Sequence, residues 1–337
     1  MADEVRHEPA QGALERLAAA AGTPLPALFA ARELTAERVA AQRAELQSLY
    51  MDGDAAVVMF GSWGRAELTR SSDGDWLVLV HGTERHEVHP EPATVAAALD
   101  ELAPGRERLF GDVAFSDDLR EQVGLSRDTN ENLTRRMLLV LESVAVAGER
   151  VWTAARNDIL ASYVGARASD FTPPRFFLND LVRYWRTIAV DFEGKDRSRG
   201  GSGWGLRSAK LRTSRKLLFA SGLLPILECR RLPASGMLEM LSEEFAAPAT
   251  DRIAAAFLRY DAPDLGARVL TAYDRVIALL DDPDARRELV ELTESDSDSS
   301  TLFQDVRRYS DQIQAGLLSL LLDDRRLASV VREYVVF

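Results

Sequence analysis
MFGSWGRAELTRSSDGDWLVLV, residues 59–80, joins the end of one apolar run to the start of another through a polar loop. AAVVMF (55–60) and DWLVLV (75–80) are apolar and rich in β-branched residues, and both read as strands. Gly61 and Ser62 follow the first run directly; Asp73 and Asp75 open the second. A strand that only packs a core needs no carboxylates at its mouth. Residues two apart in an extended chain face the same way, so Asp73 and Asp75 are expected to aim at one point if the strand starts at or just before Asp73. Hard oxygen ligands at that spacing suit Mg²⁺, which takes part of its shell from carboxylates and part from substrate phosphates. A pair of such ions would stabilise the attacking and leaving oxygens of a displacement at phosphorus. Gly61 lets backbone amides approach phosphate oxygens, and Ser62 adds a hydroxyl. A helix starting at Trp63 or Gly64 would add its dipole. These parts together describe a nucleoside triphosphate site without a Walker lysine.

Upstream, residues 12–50 have the three-and-four spacing of helices. Downstream, PEPATVAAALDELA reads as a helix with prolines at its start, and RLFGDVAFS (108–116) is a weaker third strand. No convincing strand is read after about residue 125. There SRDTNENLTRRMLLVLESV opens with Asp128 as the expected N-cap and Glu131 at capping-box spacing. Helices are expected from there to the end, interrupted by ASDFTPPR, GKDRSRGGSGWG and a solvated serine–aspartate stretch at 293–300. The segments expected are N-terminal helices over 1–50, an α/β core over 51–125 and a helical region over 126–337.

The whole chain has 53 acids against 41 bases, net −12, which argues against a protein built to coat nucleic acid or an anionic membrane. Its one cysteine, Cys229, allows no internal disulfide and no cysteine-based zinc site. MADEVRHEPAQG lacks the order of a signal peptide, and apolar runs such as AGLLSLLL are too short to span a bilayer. A cytoplasmic protein with no membrane partner is expected, and the Ala, Arg and Asp richness points to a high-GC bacterial genome. The apolar C-terminal helices, ending LASVVREYVVF, could pack internally or form a homo-oligomer.

FGSWGRAELTRSSDGDWLVLV resembles the signature of the DNA polymerase beta-like nucleotidyltransferase superfamily: apolar strand, Gly-Ser, a gap of about ten residues, Ser-Asp-x-Asp, apolar strand. Gly64, Arg65 and Glu67 of GRAEL make it most similar to the bacterial uridylyltransferase and adenylyltransferase branch. The signature covers only residues 60–80, with a looser resemblance over 50–120. One departure is Gly74, where the family places an apolar residue between the aspartates; glycine loosens a strand there. The resemblance implies an α+β fold, with a small mixed-sheet nucleotidyltransferase domain followed by an all-helical C-terminal domain. It implies Mg²⁺ or Mn²⁺, an NTP substrate with ATP the first expectation, and nucleotide contacts at Gly61, Ser62 and Arg65. It also implies a third carboxylate on a later strand. Asp112 is chosen for it, with Asp117 and Asp118 as alternatives, so that Asp73, Asp75 and Asp112 form the catalytic and metal set. The acceptor could be a protein side chain, an RNA end, a small molecule or another nucleotide. The alternative is a catalytically degenerate member that senses nucleotide or scaffolds a partner.

A second constellation is basic. GLRSAKLRTSRKLLFASG places Arg207, Lys210, Arg212, Arg215 and Lys216 within ten residues, with Arg207 and Lys210 on one helical face. FFLNDLVRYWRTIAVDFEGK reads as an amphipathic helix whose Phe177, Leu181, Val182, Trp185, Ile188, Ala189 and Phe192 form a core stripe, with Arg183 and Arg186 on the other side. GKDRSRGGSGWG reads as a mobile segment over a site. By resemblance, Arg183, Lys195, Arg207 and Lys210 are candidates for the triphosphate; a solvated face paired with neighbouring acids is the competing reading. His81, His86 and His89 are too loosely spaced for zinc.

Overall fold
In a computed structural model, the description covers residues 8–47, 54–82, 90–99, 109–121, 123–125, 128–165, 168–198 and 200–336. The chain is mixed α+β, mostly helical, with one four-stranded sheet. It forms two compact units. One comprises Met1–Phe29, Phe171–Leu232 and Glu243–Phe337; the other comprises Ala30–Asp170 and Pro233–Ser242. The units therefore cut the chain at different places from the three segments expected: the sheet-bearing unit runs on to Asp170. Its extension is explained by a strand that sequence reading missed.

The sheet contains β1 (Ala55–Phe60), β2 (Trp76–Val80), β3 (Val113–Phe115) and β4 (Ser143–Ala147), in the order β3-β2-β1-β4. β1 and β2 are antiparallel with Met59 opposite Trp76, and β2 and β3 are parallel with Val78 opposite Val113. The parallel pair needs a long crossover, and the helix Pro92–Ala98 lies within it. β4 adds antiparallel to the other side of β1, with a register shift between Val57 and Val58. Both central strands are buried along their whole length, so their apolar runs do not alternate with polar residues. One face is covered by Val39 and Leu46 of the helix Pro26–Leu46, by Val95 and Leu99, and by Trp63 and Leu68 of the loop between β1 and β2. The helix Glu149–Val164 packs on β1, β2 and β4.

The helix Asn130–Leu141 has Thr129, not Asp128, as its N-cap: the Thr129 hydroxyl accepts from the Asn132 amide at 3.1 Å. Asp128 is used otherwise. Its carboxylate receives both terminal nitrogens of the fully buried Arg136, at 3.1 and 2.9 Å, while Arg136 Nε donates to the Tyr163 hydroxyl at 2.7 Å. A buried guanidinium needs that carboxylate more than the helix end needs a second cap. Thr129→Ala is expected to cost about 1 kcal/mol, read from the midpoint of urea unfolding.

In the other unit every regular element among the described residues is helical. The helix Arg175–Ser198 buries Phe177, Leu178, Leu181 and Tyr184, but the expected stripe fades after that: Trp185, Ile188, Ala189 and Phe192 are half-buried, and Val190 is exposed. This helix also runs through Gly194–Ser198, so the first part of GKDRSRGGSGWG is helical and not a loop. The helix from Trp204 to Glu228 is continuous apart from a π-turn over Leu211–Arg215. His81 Nε2 lies 3.0 Å from Asp158 Oδ2, in the sheet-bearing unit; His86 and His89 lie outside the described residues. No helix among the described residues is long and apolar enough to cross a membrane.

Candidate functional site
The topology gathers three separated stretches at one end of the sheet. β1 ends where the antiparallel β2 begins, and β3, parallel to β2, begins at the same end. Gly61 and Ser62 leave β1 there, Asp73 and Asp75 enter β2, and Asp112 enters β3.

The loop after β1 is a tight turn and not a helix. Arg65 N–H donates to Gly61 O at 3.0 Å, Ala66 N–H to Trp63 O at 3.2 Å and Glu67 N–H to Ser62 O at 2.9 Å. The helix dipole expected at Trp63 or Gly64 is therefore missing. In its place the turn leaves a row of donors: among the described residues, the amides of Ser62, Trp63 and Gly64 and the hydroxyl of Ser62 carry no hydrogen bond. Successive amides in such a turn form an anion-binding concavity. Gly61 adopts φ +68°, a left-handed conformation that favours glycine, and Ala66 adopts φ +57° without that freedom.

Arg65, expected at the nucleotide, is committed to two acids. It is buried; its Nε donates to Glu67 Oε2 at 2.7 Å and its Nη1 to Glu142 Oε2. Both carboxylates are buried as well, with Glu142 fully so. A guanidinium desolvated this far is held by its acids, and here it ties the turn to the residue just before β4. Gly64 fits against the same place, since a Cβ on it would lie 2.1 Å from the Glu142 carbonyl carbon and 2.3 Å from Ser143 N. Sequence reading placed Arg65 at the ligand and missed Glu142, whose position 77 residues along the chain offers no local signal.

The carboxylates are less uniform than expected. Regular β2 begins at Trp76, so Asp73 sits in the loop, exposed, and its backbone oxygen accepts the Trp63 indole N–H at 3.0 Å. Asp75 is half-buried and still belongs to the ladder, its carbonyl accepting from Phe60 N–H at 2.9 Å. Val78 N–H donates to Asp112 O at 3.0 Å, so Asp112 extends the other side of the ladder. Trp76, Val78, Val113 and Phe115 belong to the covered face, and alternation then places Asp75 and Asp112 together on the opposite one. They stand one strand across and two residues along, roughly 8 Å between Cα atoms by sheet dimensions. The Asp112 carboxylate turns back to accept from Val113 N–H at 2.8 Å. Among the described residues, no group of three or more His, Cys, Asp or Glu side chains is drawn together to hold a metal. The donor set is nonetheless of the hard-oxygen kind that Mg²⁺ takes, on two neighbouring strands and one face.

Arg183, Lys195, Arg207 and Lys210 belong to the other unit. Arg183 pairs with Asp180 at 3.0 Å, Lys195 with Asp191 at 2.6 Å and Arg207 with Asp196 at 2.9 Å. Lys210 ends the helix Trp204–Lys210. In the same segment Lys216 has its pKa lowered, first by burial and then by Arg212, and its Nζ donates to Gln314 Oε1 at 2.7 Å. Three of the four candidates thus make the acid pairs of the competing reading.

Comparison of the chain with protein-family models, with curated proteins and with solved structures finds no match in any of the three.

Proposed function
We propose that the chain is a metal-dependent nucleotidyltransferase, with a small nucleotidyltransferase domain carried by a larger helical part. The observation that carries this reading is the convergence of the donor-lined Ser62–Gly64 turn with Asp73, Asp75 and Asp112 at one sheet end. The turn's amides and the Ser62 hydroxyl hold the phosphates of an NTP. Asp75 and Asp112, with Asp73 at the rim, hold Mg²⁺ or Mn²⁺, which when bound neutralises charge on the triphosphate and on the leaving pyrophosphate. An acceptor hydroxyl seated beside the carboxylates attacks the α-phosphorus. Positioning and charge neutralisation provide most of the rate, as in other phosphoryl transfers. The acceptor remains a protein, an RNA or a small molecule.

The second reading, a nucleotide sensor of the same fold, is favoured by the outward Asp73 and by Asp112 turning back to its own strand. The two separate in one assay. The protein is incubated with each α-³²P-labelled NTP and Mg²⁺ or Mn²⁺, with and without cell lysate, beside an Asp73→Asn/Asp75→Asn chain. Label entering protein, RNA or a new small molecule, and absent from the double variant, supports the enzyme. Tight nucleotide binding with no transfer under any condition supports the sensor.

A further inference from the structure
The sheet-bearing unit holds a second concavity, on the covered face of the sheet and away from the face that Asp75 and Asp112 share. It has a volume of about 750 Å³ and lies between the helix Pro26–Leu46, the loop after β1 and the end of the helix Pro92–Ala98. Pockets for small organic ligands run from about 300 to 1,000 Å³. Its chemistry is divided. Leu34, Trp63, Leu68, Ala98 and Leu99 give apolar wall, while Arg38, Gln42, Thr69, Arg70 and Ser72 give donors, and Glu45 is the single acid. Arg38 is exposed and makes no ion pair among the described residues. Gln42, one helical turn on, buries an amide oxygen with no hydrogen-bond partner in the described structure. An unpartnered buried acceptor is costly, and rotation of the outer side chain toward a ligand donor relieves it.

We propose that this groove binds a phosphate ester of nucleoside monophosphate size, with the phosphate on Arg38 and a donor on the organic body reaching Gln42. Arg38, exposed and without an ion pair among the described residues, favours an anion, and a guanidinium suits phosphate through its paired donors. The apolar wall and the Gln42 acceptor have no use for inorganic phosphate alone. The site is connected to the sheet end through one residue: Trp63 lines the groove and its indole N–H holds the backbone of Asp73 at 3.0 Å. A ligand against Trp63 therefore acts on the placement of Asp73. This coupling rests on the transferase reading; the binding does not.

The test is calorimetric titration of the full chain, in EDTA, with AMP, UMP and inorganic phosphate. Either nucleotide is expected to bind at least about tenfold more tightly than phosphate, and Arg38→Ala to weaken it about tenfold, the scale of one charge-assisted contact. Asp75→Asn/Asp112→Asn, on the opposite face of the sheet, is expected to leave the affinity unchanged, which separates this groove from the sheet end. The proposal is overturned by absence of saturable binding at millimolar concentrations, by phosphate binding as tightly as the nucleotides, or by affinities indifferent to both Arg38→Ala and Gln42→Leu. Because heat is measured and not turnover, a chain that transfers no label still gives a decisive result.

Discussion

Gly64→Ala is expected to destabilise the sheet-bearing unit by about 3 kcal/mol, the upper end for overpacking, and to lower its melting temperature by about 10 °C. The added methyl would lie 2.1 Å from the Glu142 carbonyl carbon, 2.2 Å from its oxygen and 2.3 Å from Ser143 N. These are backbone atoms at the junction of a helix and β4, and they cannot swing aside as a side-chain tip can. To make room, the turn must lift away, and lifting it pulls Arg65 from Glu142. Gly61→Ala is the informative contrast. Nothing lies within 4 Å of its added Cβ, so only the left-handed φ of +68° is penalised, by about 1–2 kcal/mol. Thermal unfolding of the two variants side by side checks the difference. Equal losses would mean that the turn is not seated on β4.

Asp75→Asn is expected to reduce nucleotidyl transfer about 1,000-fold. Removing a charge that holds a metal against a triphosphate forfeits several kcal/mol of transition-state stabilisation, and about 4 kcal/mol corresponds to that factor. The ladder bond itself is kept, because Asp75 joins it through its backbone carbonyl, which asparagine retains. Asp112→Asn is expected to behave similarly, as the partner on the same sheet face. Asp117→Asn, in the first turn of the helix Ser116–Glu121, is expected to leave transfer intact. Single-turnover rates measured with urea unfolding on the same preparations separate lost chemistry from lost fold.

What could be read from sequence divides along the range of the interactions. β1 and β2 were legible because six and five buried apolar residues in a row leave no helical alternative of the right length. β4 was not. SVAVA follows directly on the helical run MLLVLE, is built partly from serine and alanine, and is only partly buried, so neither composition nor alternation marks it. Asp128 and Thr129 show the same limit at one helix start. Either residue can cap, and the buried arginine that claims Asp128 is eight positions away. The Gly61–Ser62 and Asp73–Asp75 pairs were visible as chemistry because they are local. Arg65 was visible only as a charge: its meaning depends on Glu142, and a sequence shows a buried pair and a ligand-binding arginine in the same letters.

The most direct test of the sheet end as a metal–nucleotide site is a crystal of the full chain grown with Mn²⁺ and an NTP analogue that cannot be cleaved between the α- and β-phosphates. Anomalous scattering then locates the manganese. The account predicts a manganese peak bound by Asp75 and Asp112, with Asp73 drawn in, and the triphosphate lying along the amides of Ser62–Gly64. A triphosphate and its manganese bound elsewhere on the chain, with these carboxylates left bare, would contradict it.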